Sequence, residues 1–449
     1  MPLISSISGL RGTIPDSLTA DVISNFTQAF ARFADKGTII IGRDGRPSGK
    51  EISETICATL ALAGRNVIEI GVVPTPTVQM EIERHHAAGG IAISASHNPA
   101  EWNGLKFLAS TGMFLLPEES KRFNEIAGSL TSVNPSSTLS ANSGTVTHVT
   151  DAIEHHITKV LSIPFLDKEK IKAKKFRVVV DAVNAAGSVA VPSLLEQLGC
   201  EVIRLSCDGS GVFPHTPEPL PENLTSLCNA VKQYHADLGV AVDPDADRLV
   251  LITEQGEPFG EEYTIVQCVK TVLQSAKKTG VVINLSTTRA VEDVAAQFGV
   301  AVVRTPVGEI NVALKMKEIG AAIGGEGSGG VILGSVHYGR DSLVGCALTL
   351  HHLATFGGTA SALRASLPQY YMAKRKITLD SLAQADTLLK NFAAEYANYS
   401  LRKDDGIRAE LPAGDWIHVR KSNTEPIVRV IAESRTREQA EKLAASVTL

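Results

Sequence analysis

Cysteine is sparse in this 449-residue chain. Cys57, Cys200, Cys207, Cys228, Cys268 and Cys346 are scattered, with no CxxC pair. That excludes a disulfide frame or a cysteine–zinc site and suits reduced thiols. No apolar run reaches membrane-spanning length, and Met-Pro-Leu-Ile-Ser-Ser does not open like a signal peptide, so a cytoplasmic protein without membrane association is expected. There is no basic block, and the net charge of −5 gives nucleic acid nothing to bind. A Gly-x4-Gly-Lys-Ser/Thr phosphate loop is missing, as is a Gly-x-Ser-x-Gly nucleophile elbow. The remaining composition, 44% hydrophobic and 20% charged, is that of an ordinary globular protein. The chain is too long for one hydrophobic core, so about two to four domains are expected.

One pattern occurs three times. Thr38-Ile39-Ile40-Ile41 reads as a buried strand; a loop, a helix ending near Gly64 and a strand from Asn66 to Ile70 follow. Arg177 to Asp181 begins a second copy, whose next strand is Glu201 to Leu205. Gly280 to Asn284 begins a third, followed by Ala301 to Arg304. Each copy is later followed by one more apolar strand that breaks into a polar loop: Ile91 to Ile93, Leu238 to Val242, and Ala321 to Ile323. A repeat this long means related α/β domains and not a solenoid. Sites in α/β sheets form at strand ends, so three loops could share one cleft. Thr131 to Thr138 reads as a surface excursion. Beyond Tyr371 a helix (Ser381 to Tyr396), strands Trp416 to Arg420 and Ile427 to Ala432, and a closing helix (Thr436 to Ser446) suggest a smaller α+β domain. The expected fold is three related α/β domains plus a smaller C-terminal α+β domain around a central cleft. The expected divisions are residues 1–160, 161–260, 261–370 and 371–449.

The loops differ in chemistry. Ser94-Ala95-Ser96-His97-Asn98-Pro99, with Lys106 downstream, joins a hydroxyl, an imidazole and an ammonium, which suits phosphoryl transfer. A Ser/Asn turn capping a helix fits the same residues. In Asp243-Pro244-Asp245-Ala246-Asp247-Arg248 three alternate carboxylates repel one another unless a cation compensates, which suits Mg²⁺; no Gly-x5-Glu follows, against an EF-hand. Glu326 and Ser328 lie among glycines and could hydrogen-bond a polyol, with His337 to Asp341 adding polar contacts. Arg420-Lys421-Ser422-Asn423-Thr424 with Arg429 offers cations, hydroxyls and N–H groups for a phosphate, or is simply a charged hairpin tip. Arg11, between glycines, could face an anion or solvent. A sugar phosphate would use all of these.

These motifs resemble those of the α-D-phosphohexomutases. Ser94 to Pro99 is similar to their Thr-Ala-Ser-His-Asn-Pro signature, and Asp243 to Arg248 to their Asp-Gly-Asp-x-Asp-Arg metal loop. Gly325 to Gly329 resembles their sugar-binding loop, and Arg420-x-Ser422-Asn423-Thr424-Glu425-Pro426 their phosphate-binding loop. The resemblance implies that Ser96 carries a phosphoryl group and that Mg²⁺ is held by that phosphate with Asp243, Asp245 and Asp247. It implies turnover through a hexose 1,6-bisphosphate. Arg11, His97, Lys106 and Arg248 would surround the transferring group, Lys106 being a candidate proton acceptor where positive neighbours depress its pKa. Glu326, Ser328 and Gly308 would contact the sugar, and Arg420, Ser422, Asn423, Thr424 and Arg429 the other phosphate. Two positions depart from the family pattern: Pro244 stands where glycine is usual, and Gly330 where many members carry histidine. Thr305-Pro306-Val307-Gly308-Glu309 is closer to the phosphoglucosamine mutases, whereas Ser422-Asn423-Thr424 is closer to the mannose/glucose branch. Glucosamine phosphate is the expected substrate, with mannose or glucose phosphate as the alternative. A monomer or homodimer acting on a small hexose phosphate is expected. The rivals are a Mg²⁺-dependent phosphatase with an aspartate nucleophile and a non-catalytic sugar-phosphate-binding protein.

Overall fold

The computed structural model describes residues 3–6, 9–130, 143–275, 279–422 and 427–448. The excursion expected at Thr131 to Thr138, and Asn423 and Thr424 of the expected phosphate loop, lie outside the described residues. Among the described residues no helix is long and apolar enough to cross a membrane.

Three sheets are built on one plan. In the first, Ile39–Arg43 lies between Val67–Val72 and Gly89–Ile93, both parallel to it, and Trp102–Ala109 returns antiparallel beside Gly89–Ile93. In the second, Arg177–Asp181 takes the place of Ile39–Arg43, with Glu201–Ser206, Leu238–Val242 and antiparallel Leu249–Thr253. In the third, Val281–Asn284 does so, with Val302–Thr305, Ile323–Glu326 and antiparallel Gly330–Leu333. The first sheet adds Gly9–Thr13 and Ile4–Ser6 at one edge and Val146–His148 at the other. The central strands Ile39-Ile40-Ile41, Val178-Val179-Val180 and Val281-Val282-Ile283 are wholly buried. Such unbroken apolar runs are what parallel strands covered on both faces require.

The helix Ser342–Phe356 binds the second and third sheets together. It is buried from Ser342 to Ala354, and Asp341 caps it through Leu343 N and Val344 N. A helix apolar all round must sit inside a core, and this one belongs to a hydrophobic cluster drawing on both sheets. A further helix, Glu309–Ile319, places Ile310 and Ala313 in the cluster formed by Ile40, Val78 and Phe114 of the first sheet's layer.

The fourth sheet is antiparallel throughout, in the order Tyr371–Thr378, Ile427–Ser434, Trp416–Lys421, Ile407–Glu410, Ser400–Arg402. Val428, Val430 and Ala432 alternate onto one face, which packs with Leu388, Phe392 and Ala444 of the helices Leu382–Glu395 and Arg437–Ser446 as a core of its own. The opposite face meets the third sheet through polar contacts. Arg408 donates to Leu285 O, His418 meets Ser286 Oγ at 2.9 Å, and Glu433 accepts from Arg289 N at 2.8 Å.

Two features differ from the sequence expectation. The antiparallel return strands are additional to it. The third copy's strand also runs to Glu326, not to Ile323, so Glu326 ends a strand instead of lying in a glycine loop. Gly324 belongs inside this strand because it is tightly packed: a Cβ there would lie 2.5 Å from Met316 Sδ and 2.6 Å from Val282 O.

His418 makes the contact between the third and fourth sheets pH-sensitive. Its Nε2 donates to Asp405 O at 2.7 Å, so Nδ1 is left to accept from Ser286. Burial lowers its pKa from 6.5 to about 4. The unfolded chain therefore takes up this proton at higher pH than the folded one. The stabilisation is complete above pH 6.5 and is lost as pH falls toward 4. Melting temperatures followed from about pH 7 to about pH 5 should fall, and His418→Gln should flatten part of that fall. An identical profile in the variant would remove His418 as its source.

Candidate active site

The loop after Gly89–Ile93 is shaped by a side chain the sequence reading passed over. Arg46, fully buried, donates to Ser96 O at 2.6 Å, Asn98 O at 2.8 Å and Pro99 O at 2.8 Å. Its Nε pairs with Asp44 at 3.0 Å, and its guanidinium lies 4.8 Å from the centre of the Phe213 ring. Three carbonyls of one turn thus converge on one planar cation. Ser96 has φ +51°, a left-handed conformation costly for a side chain other than glycine, and its N–H donates to Ser94 Oγ at 2.8 Å. The turn directs Ser96 Oγ to Asp243 Oδ2, 2.8 Å away, with His97 Nδ1 at 3.3 Å. Arg11 donates to Asn98 Oδ1 at 3.1 Å. Burial, together with the Arg248 and Arg11 guanidiniums, presses the His97 imidazole well below its usual range.

Asp243, Asp245 and Asp247 are buried, with ligand oxygens all within 4.8 Å of one another. The loop is clasped from outside. Thr75 N and Oγ1 donate to Asp245 O and Oδ2 at 2.9 and 2.5 Å, and Ser342 Oγ donates to Ala246 O at 2.7 Å. Ala246 is left-handed at φ +50° whereas Pro244 is not, so the turn does not need glycine at position 244. Burial and the neighbouring Asp247 and Asp245 push the Asp243 carboxyl well above its ordinary range. Burial also works against ionised Asp245, but Lys106 and the Thr75 hydroxyl outweigh it and hold that carboxyl low. Oδ1 of Asp245 and of Asp247 is buried without a partner. Crowded hard oxygens with unsatisfied lone pairs fit a divalent cation.

Lys106 is ion-paired with Asp245 and lies 3.7 Å from Asp247 Oδ2 and 3.5 Å from Thr75 Oγ1. Its near neighbours are carboxylates, not the cations on which a proton-accepting role was expected to depend. Arg248 N donates to Asp243 Oδ1 at 3.2 Å, and its Nε stands 4.0 Å from Asp243 and 3.8 Å from Asp247.

Glu326 Oε1 accepts from Asn284 Nδ2 at 2.8 Å and Gly308 N at 2.9 Å, and its Oε2 accepts from Arg340 at 2.8 Å. Ser328 is half-buried in the turn between Ile323–Glu326 and Gly330–Leu333. On the fourth sheet Arg420 lies directly across from Arg429, which lies across from Lys376. Like charges facing one another repel, and an anion would relieve them. Ser422 N bonds Ile427 O at 2.9 Å, closing the base of the turn. Asp405 links this sheet to the segment before the helix Glu309–Ile319, accepting from Val307 N at 2.9 Å with Arg420 Nε at 3.4 Å. The structure therefore gathers Ser96, His97, Arg11, Lys106, Arg248 and the three aspartates. Glu326 and Gly308 join them through Arg340, and Arg420 with Arg429 stands beyond Asp405.

A second ligand-like group, His156, His337 and Asp341, is accounted for by hydrogen bonds. Asp341 Oδ2 accepts from both imidazoles at 2.8 and 3.1 Å, while Oδ1 caps the helix Ser342–Phe356. His156 Nδ1 meets Thr77 Oγ1 at 2.8 Å. This cluster fixes the segment that carries Arg340.

Comparison with known proteins matches every sheet of this fold. Profiles for phosphoglucomutase/phosphomannomutase α/β/α domains I, II and III match residues 4–133, 154–256 and 260–371, and that for the C-terminal domain matches residues 374–449. The chain belongs to the phosphoglucomutase/phosphomannomutase family. A "probable phosphoglucosamine mutase" of Methanopyrus kandleri is 33% identical over 439 residues, covering 97% of this chain and 95% of that protein. A "phosphoglucomutase/phosphomannomutase" of Thermococcus kodakarensis is 33% identical over 438 residues, covering 96% and 94%. The crystal structure of a family protein from Burkholderia thailandensis superposes with a TM-score of 0.84 at 25% identity, covering 98% of this chain and 95% of its own.

Arg46 offers a direct test of how the serine turn is held. Arg46→Met leaves Asp44 unpaired in the interior and should destabilise the protein by about 3 kcal/mol in denaturant unfolding, with Arg46→Lys recovering part of the loss. A Met variant as stable as the parent would exclude this role.

Proposed function

We propose that the chain moves a phosphoryl group between O6 and O1 of a hexose phosphate through a phosphoserine at Ser96. The observation that carries this reading is the 2.8 Å contact between Ser96 Oγ and Asp243 Oδ2, which sets a nucleophile against a cation-binding loop. Phospho-Ser96 gives its phosphoryl to the free hydroxyl of the bound sugar phosphate, forming the hexose 1,6-bisphosphate and leaving Ser96 as a hydroxyl. After the bisphosphate has turned over in the cleft, Ser96 takes the phosphoryl from the other oxygen. Arg11, His97 and Arg248 surround the transferring group, and Lys106 completes the catalytic set. Asp243, Asp245 and Asp247, with the serine phosphate, would hold Mg²⁺, which supplies charge neutralisation at the transferring phosphoryl when bound. Glu326, Ser328 and Gly308 hold the sugar, and Arg420, Ser422, Asn423, Thr424 and Arg429 the second phosphate.

For substrate we propose glucosamine 6-phosphate, converted to glucosamine 1-phosphate, on the support of the Val307-Gly308-Glu309 segment and the name of the Methanopyrus kandleri relative. Mannose or glucose phosphate is the second reading, supported by Ser422-Asn423-Thr424 and the Thermococcus kodakarensis relative. We also propose that the chain divides at residues 160, 260 and 370 and acts in the cytoplasm as a monomer or homodimer.

Purified protein with Mg²⁺ and a trace of the matching 1,6-bisphosphate should convert glucosamine 6-phosphate faster than mannose 1-phosphate or glucose 1-phosphate. Ser96→Ala should abolish turnover of all three. Release of inorganic phosphate that survives in Ser96→Ala would replace the mutase with a phosphatase using an aspartate of the Asp243 loop. Binding without turnover would leave a sugar-phosphate-binding protein. Asp243→Asn should separately weaken Mg²⁺ binding by about tenfold or more in calorimetric titration.

A further inference from the structure

We propose that Arg340 is a positioning residue that couples sugar recognition to the metal loop, and that Gly330 provides the space it occupies. The inference rests on the mutase reading and extends it to a residue outside the assigned set. Each side of the Arg340 guanidinium engages a carboxylate from a different segment. Nη2 donates to Asp247 Oδ2 at 2.6 Å, Nη1 to Glu326 Oε2 at 2.8 Å and Nε to Glu309 Oε2 at 3.0 Å. Asp247 belongs to the metal loop, Glu326 ends the strand Ile323–Glu326, and Glu309 opens the helix Glu309–Ile319. All three acids are buried. One planar cation therefore sets the relative orientation of a metal ligand and a sugar acceptor, which a point-charge ammonium could not do on three sides at once.

The backbone on either side of Arg340 is fixed. Asp341 N donates to Val331 O at 2.8 Å, and the Asp341 carboxylate is held by His156 and His337. The guanidinium is fixed by its three acids, so the aliphatic stem has little freedom between these anchors. That stem runs over Gly330: a Cβ there would lie 2.3 Å from Arg340 Cδ and 3.0 Å from Cγ. A flexible arginine would move aside for a methyl group at little cost; one bonded at both ends cannot. Because Arg340 touches both sites, ligand binding at either one favours the arrangement the other needs, and the coupling is reciprocal.

The test measures two quantities on the full-length protein. One is the affinity for Mg²⁺ alone, by calorimetry without substrate; the other is KM and kcat for the preferred hexose phosphate. Arg340→Lys keeps the charge and loses the three-way contact. It should weaken Mg²⁺ binding and raise KM, each by about tenfold, with a smaller change in kcat. Gly330→Ala keeps Arg340 and should shift both quantities in the same direction by displacing its stem. The double variant should be no worse than Arg340→Lys, because both substitutions remove one interaction. A change in KM alone or in Mg²⁺ affinity alone overturns the coupling. Gly330→Ala matching the parent overturns the role of the glycine. Should Arg340→Lys fail to fold, as judged by circular dichroism, Gly330→Ala decides both points, since the coupling again requires both quantities to move together. A parent that turns over no hexose phosphate fails the mutase reading, and the Mg²⁺ titrations remain a readout of Arg340 independent of turnover.

Discussion

Asp243, Asp245, Asp247, Glu309 and Glu326 are all buried, and Lys106, Arg340 and Arg248 are interleaved among them. Buried carboxylates cannot remain ionised together without compensating charge, so each loop's conformation depends on cations supplied from elsewhere in the chain. Lys106 comes from the first sheet and Arg340 from beyond the third, while the aspartates stand on the second. Electrostatic balance of the site is thus a condition on how the three sheets are placed, and misplacing one leaves charge unpaired in the interior. Asp245 Oδ1 and Asp247 Oδ1 accept no hydrogen bond from the protein, which leaves lone pairs suited to an external cation.

The three sheets share a backbone plan and differ in what they do with it. In each, the third strand ends in a turn containing a left-handed residue: Ser96, Ala246 or Gly329. In the first turn this brings a hydroxyl forward, in the second it separates carboxylates, and in the third it reverses the chain beneath Arg340. Shared geometry with divergent side chains lets one plan present a serine hydroxyl, three carboxylates and a glycine-rich turn at the same end of each third strand.

The repeated plan was legible because its central strands are continuous β-branched runs and its loops break sharply into polar residues. Arg177 to Asp181 and Leu238 to Val242 agree with the strands found. Among the return strands, Trp102–Ala109 was hidden because it mixes polar and apolar residues, with Asn103 bonded to Ser48 and Lys106 turned to buried Asp245; the sequence offers no such reason for apolar Leu249–Thr253 and Gly330–Leu333. Arg46 was missed for a related reason: a charged side chain in a glycine-bracketed loop reads as solvated, and only the fold reveals three carbonyls around it. Arg340 was noticed only as a further polar contact. Its partners Glu326 and Asp247 lie 14 and 93 residues away in sequence, separations that no local pattern encodes.

The fourth sheet keeps its apolar core on the side away from the cleft and meets the third sheet through His418, Arg408, Glu433 and Asp405. Parting such a contact exposes hydrogen-bonding groups, which water satisfies, together with Trp416, a fully buried indole on this face against Arg408 and Glu433. Apolar exposure raises heat capacity and polar exposure lowers it. Swinging this unit outward thus uncovers both kinds of surface, whose heat-capacity changes oppose each other, whereas separating the second and third sheets would strip their common helix of its apolar burial.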